Sequence, residues 1–121
     1  MAEAGTPTVG GLVVRVGGSR WFIPVAGVIE VLRDALIVRV PGAIPAVRGM
    51  VNHRGRIITV VDPARALELP GEAGDAGEVV VVEAEGRRFA VAVDGVVELS
   101  AEARTGLATL NLTQVADAIF A

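Results

Sequence analysis

The chain has 121 residues, of which 52% are hydrophobic and 3% aromatic, and a net charge of −3. That length allows one domain or two very small lobes sharing a core, and the apolar content excludes a disordered chain. With no cysteine there is no disulfide framework, thiolate nucleophile or cysteine-ligated metal. All eleven basic residues are arginine, scattered along the chain. The basic patch and stacking aromatics of a nucleic-acid binder are both missing. No apolar run approaches the roughly 18 residues of a membrane span. Met1 to Pro7 lacks the charged start and apolar segment of a secretory signal, so a cytoplasmic location is expected.

Residues 1–8 read as a loose tail. Leu12–Val16 and Trp21–Val25 form a predicted hairpin around Gly17-Gly18. Pro24 cannot donate to a ladder, which makes that strand edge-like or bulged there. Gly27 permits a bend, after which Val28–Leu32 continues extended. Leu36–Val40 is expected as a further strand, and Pro41–Pro45 as an irregular connector. Strand Ile57–Val61 follows, then a short helix from Pro63 through Leu69 with Asp62 as its N-cap. Pro70–Glu78 is rich in glycine and acidic residues and reads as a linker. Strands resume at Val79–Glu83, Phe89–Val93, Val96–Leu99 and Leu107–Leu110. Val115, Ala116, Ile119 and Phe120 recur at helical spacing behind Asn111 and Thr113, which predicts a C-terminal amphipathic helix over 113–120.

The stretch from Val47 to Asp62 concentrates hydrogen-bonding side chains. Asn52, His53 and Arg54 sit between Gly49 and Gly55, in a turn feeding an apolar strand. A polar turn on a rigid support is a common place for binding residues, although a solvated turn has the same composition. His53 reads as a solvated turn residue, with a pH-sensitive contact or a site role as alternatives.

An internal repeat organises the rest. Arg20–Val31 lies over Arg88–Leu99 without a gap, at an offset of 88 − 20 = 68 residues. Leu12-Val13-Val14 lies over Val80-Val81-Val82, and Gly18 over Gly86. A shorter match sets Ile57–Asp62 against Gly106–Asn111, at 106 − 57 = 49. The second half therefore lacks 68 − 49 = 19 residues, corresponding to the connector and the polar turn. Two β units of about 60 residues bury little alone but can share one core. Valine-rich strands with glycine bends suit small, strongly curved barrels.

These residues resemble the chemotaxis coupling protein family, the CheW-like domain. The resemblance is carried by Val28-Ile29-Glu30-Val31, Val40-Pro41, Val47 to Gly55, Val60-Val61-Asp62 and Val93-Asp94-Gly95-Val96. It implies a mainly β fold of two SH3-like β-barrel lobes packed together, the second shortened, with a short C-terminal helix. Residues 1–121 would form one such domain, with lobe one near 10–69, a linker at 70–78 and lobe two near 79–121. The resemblance also implies a non-enzymatic adaptor without cofactor or metal. Its partners would be the regulatory domain of a histidine kinase, on the first lobe, and a chemoreceptor's cytoplasmic tip, in the groove between lobes.

The partner-binding residues implied are Val28, Glu30, Gly49, Val51, Asn52, Arg54, Asp94 and Val96. Arg54 would pair with Glu30 and fix the turn against the 28–32 strand, the guanidinium fork being able to hold a carboxylate bidentately. Val28, Val51 and Val96 read equally well as ordinary core, and Gly95 as a simple bend. The chain departs from the family pattern at His53, Thr59 and Pro63-Ala64, and above all in its shortened second half. An incomplete barrel exposes a strand edge through which a second copy could form a homodimer. The alternatives are a self-associating scaffold in a non-chemotactic pathway, or a small hydrolase using His53. The hydrolase has little support, since no serine elbow, zinc motif or P-loop is present.

Overall fold

A computed structural model describes residues 10–70, 78–100 and 107–120. The chain is mainly β. Strands β1 (Gly11–Val16) and β2 (Ser19–Pro24) form the first hairpin, and a 3-10 turn at Val25–Gly27 leads to β3 (Val28–Arg33). The hairpin β4 (Val47–His53) and β5 (Arg56–Val61) precedes α1 (Pro63–Ala66). Then come β6 (Glu78–Ala84), β7 (Arg87–Val93), β8 (Gly95–Ser100), β9 (Ala108–Thr109) and α2 (Leu112–Phe120). Most of the expected linker, residues 71–77, lies outside the described residues, as does Gly106 of the shorter repeat match.

The expected strand at 36–40 is absent. Asp34 turns the backbone at φ 54°, and Val38 makes only an isolated bridge to Met50. The helix after Asp62 ends sooner than Leu69, because Leu67 leaves helical geometry and Glu68 adopts φ 53°. Asp62 caps it as expected, accepting from the N–H groups of Ala64 and Arg65. Asn111 caps α2 in the same way through Gln114 N–H. Phe120 of α2 packs on Phe89 of β7 with ring centroids 5.7 Å apart, and the Arg87 guanidinium lies over the Phe120 ring, 5.0 Å from its centroid.

All three tight hairpins turn through two residues of positive φ: Gly17-Gly18, Arg54-Gly55 and Glu85-Gly86. This is the type I′ pattern, whose twist matches that of paired strands.

The strands form two sheets, of order β8-β1-β2-β9 and β3-β6-β7-β5-β4. Each sheet draws on both halves of the sequence. The hairpin β1-β2 takes β8 from the second half, and β6-β7 takes β3 from the first. The exchange is reciprocal to the residue: Val31 faces Val80, and 68 positions on Leu99 faces Leu12. The bulges coincide as well, between Val28 and Glu30 in β3 and opposite Val96 and Glu98 in β8. The shorter match at offset 49 is structural too. Val60 pairs in parallel with Ala90, as Thr109 does with Phe22. Sequence positions 70–78 therefore divide the chain but not the sheets.

The main core lies between the sheets. Leu12, Val14 and Ile23 meet Val80, Val82, Phe89 and Val91, and α2 covers one end with Val115 and Ala116. Each fully buried side chain of this kind contributes roughly 1.5–3 kcal/mol. A second cluster fills the five-stranded sheet from its other face, with Val51, Ile58, Val60, Val79, Val81, Ala90 and Ala92.

Candidate partner-binding site

In the five-stranded sheet β3 and β4 are opposite edges, yet Glu30 on β3 reaches the β4-β5 turn. The sheet curls far enough for side chains of its two edges to meet, and Glu30 bridges this seam. His53 Nε2 donates to Glu30 Oε1 at 2.8 Å, and Arg54 Nη2 lies 3.2 Å from the same oxygen. The pairing expected of Glu30 and Arg54 is present, but as one shared oxygen rather than a bidentate fork. The His53 hydrogen bond holds the Glu30 carboxyl below its ordinary range, partial desolvation opposing it and the Arg54 charge assisting it.

His53 is a correction to the sequence reading. It is 2% exposed rather than solvated. Alternation along β4 explains this: Gly49, Val51 and His53 point inward, and the Arg54-Gly55 turn begins only after His53. With Nε2 engaged by Glu30 and Nδ1 buried without a hydrogen-bonding neighbour, His53 is not placed to serve as a hydrolytic base.

The other expected residues divide by location. Asn52 accepts from Gly55 N–H at 2.9 Å and so braces the turn. Gly49 lies so close to the 37–38 segment that a Cβ there would strike the Val38 carbonyl. Val51 is buried in the second cluster, as its ordinary-core reading has it. Glu30, Gly49, Val51, Asn52 and Arg54 thus lie on one seam. Val28 and Val96 occupy repeat-equivalent positions, half-buried against the main core. Asp94 lies elsewhere, just before β8, where its carboxyl accepts from Gly17 N–H at 3.1 Å and ties the first hairpin turn.

Beside the seam runs an apolar groove of about 530 Å³, lined by Leu32, Leu36, Val38, Met50, Asn52 and Ile57 among others. Leu36, Val38 and Ile57 are 81%, 59% and 62% exposed, an unusual concentration of large apolar side chains in water. The sequence reading missed this groove. Its signal was the row Leu36-Ile37-Val38, taken for a strand, whose alternate residues go to different places: Ile37 packs on the second cluster and its neighbours face solvent.

Among the described residues no group of three or more His, Asp or Glu side chains is arranged to hold a metal. No described helix is long and apolar enough to cross a membrane.

Known proteins agree with this geometry. No curated protein matches the chain. Solved structures that it resembles include the scaffolding protein TtCheW from Thermoanaerobacter tengcongensis. The identity there is 24% and the TM-score 0.66, over 78% of this chain and 64% of that one. The two folds are alike, and the chain spans a little under two thirds of the solved relative's length. The CheW-like domain pattern matches residues 10–105, which include both exchanged hairpins, the seam and the groove. The paired sheets and the residue pattern lead to one assignment: the chain belongs to the CheW-like domain family.

Proposed function

We propose that the protein is a non-enzymatic, cytoplasmic adaptor that couples chemoreceptors to a chemotaxis-type histidine kinase through protein–protein contacts. Membership of the CheW-like family and likeness to a scaffolding protein support this reading. The observation that carries it is the groove beside the Glu30–Arg54 seam, where Leu36, Val38 and Ile57 remain in water. The kinase regulatory domain docks there. The seam sets the groove's shape, because Glu30, Asn52 and Arg54 hold the β4-β5 turn that carries Ile57. The receptor tip docks between the sheets near Val28 and Val96. There the repeat-equivalent Ile29 and Val97 are each 37% exposed.

The test is to mix the protein with the isolated kinase regulatory domain and a soluble receptor-tip fragment, and to measure mass by light scattering. A ternary species supports the adaptor. Binding of neither partner at high micromolar concentration contradicts it.

A self-associating scaffold in a non-chemotactic pathway is the second reading. It is favoured by the two-residue β9 at the end of the four-stranded sheet. Concentration-dependent dimerisation without partner binding would favour it over the first.

A further inference from the structure

A second cleft, of about 350 Å³, lies where the connector 39–48 passes the start of α1. Its walls carry three arginines, Arg39, Arg48 and Arg65, and its buried floor is Asp62. We propose that this cleft binds a phosphate monoester dianion. It does not depend on the adaptor reading.

The charge balance is the first argument. Among the described residues that line it, three guanidinium groups stand with one carboxyl, in a chain whose net charge is −3. Asp62 is already engaged. One oxygen accepts from Ala64 N–H at 3.0 Å and Arg65 N–H at 3.3 Å. The other lies 3.4 Å from Arg48 Nε and 3.6 Å from Arg65 Nε. Arg48 and Arg65 both approach this oxygen through Nε. Arg39 is exposed and has no ion-pair partner among the described residues. A monoester phosphate carries about −1.5 to −2 at neutral pH and offers three acceptor oxygens, which matches this arginine set better than a single carboxylate does.

The repeat supplies the second argument. At the offset of 49, Asp62 corresponds to Asn111 and Arg65 to Gln114, and Asn111 caps its helix at 3.0 Å without any charge. The fold needs a cap at this place but not an arginine cluster. The apolar walls Val40 and Ile44 beside the arginines suit an ester's organic group.

The experiment follows backbone amide shifts of the whole protein during titration with inorganic phosphate, phenyl phosphate and benzoate at constant ionic strength. Saturable shifts at 39–48 and 62–66 are expected. Phenyl phosphate should bind more tightly than inorganic phosphate and about tenfold more tightly than benzoate. Arg39→Gln and Arg65→Gln should each weaken phenyl phosphate about tenfold, with unchanged melting temperature in Arg39→Gln. Arg39 has no ion-pair partner among the described residues, so Arg39→Gln stays decisive if Arg65→Gln disturbs the fold. Equal binding of benzoate, shifts spread over arginines elsewhere, or wild-type affinity in Arg39→Gln would each overturn the assignment.

Discussion

The two sheets began as copies of one plan and now solve the same burial problem differently. The five-stranded sheet covers its inner face with β4 and closes at Glu30, so that Val79, Val81, Ala90 and Ala92 are buried beneath Val51 and Ile58. Among the described residues the four-stranded sheet has no counterpart of β4. Its residues 68 positions earlier are Gly11, Val13, Phe22 and Pro24. Phe22 stands where the closed barrel has Ala90, and it is buried, its ring so near Gly11 that a Cβ there would overlap it. One aromatic side chain and a glycine thus replace part of a missing strand. Side-chain volume at a single repeat position can thus stand in for part of a strand, and among the described residues no strand pairs with β9 beyond β2.

Phe22 bears most of this difference between the two sheets. Phe22→Ala should destabilise the protein by about 3–5 kcal/mol in urea unfolding, the cost of a large core cavity. If the loss is under about 1 kcal/mol, the ring is not the replacement described. The reciprocal change, Ala90→Phe, overfills the closed barrel and should cost about 1–3 kcal/mol. A stabilising Ala90→Phe would show that the two interiors are not distinct.

Smaller effects sharpen the seam. Arg54→Ala should lower the melting temperature by less than Ala90→Phe does, because His53 still holds Glu30. The Glu30 carboxyl is lowered in the folded state, so its contribution to stability is fully present above its ordinary value of 4.5 and is lost as pH falls below that. Glu30→Gln should therefore flatten the acid limb of the stability curve and leave its neutral limb unchanged in slope. An acid limb identical to wild type would remove Glu30 from the account. The smallest effect on stability, within about 0.5 kcal/mol, is expected for Leu36→Ser and Ile57→Ser, whose side chains already face water.

Much of this architecture was legible in the sequence because a copied hairpin leaves a gapless offset. Arg20–Val31 over Arg88–Leu99 located β2, β3, β7 and β8, Asp62 announced the first helix start, and the polar residues Asn111 and Thr113 put the second within one residue of Leu112. Exchange of β3 and β8 between hairpins was not legible, since an apolar strand carries no mark of which neighbour it will pair with. The Glu30–Arg54 contact came through the family resemblance. The burial of His53 did not, because a polar residue one position before a turn looks solvated until the inward alternation of β4 is known. Leu36–Val40 misled for a related reason: its β-branched composition favours a strand, but the turn at Asp34 and the single bridge to Met50 leave no partner ladder among the described residues.

Under the proposed function, the groove beside the seam docks a kinase regulatory domain. Calorimetric titration of that domain into wild-type protein and into the Leu36→Ser, Ile57→Ser double variant tests it most directly. Saturable binding to the wild type is expected, with its loss in the variant at unchanged melting temperature. Equal binding to both proteins, or none to either, would contradict it.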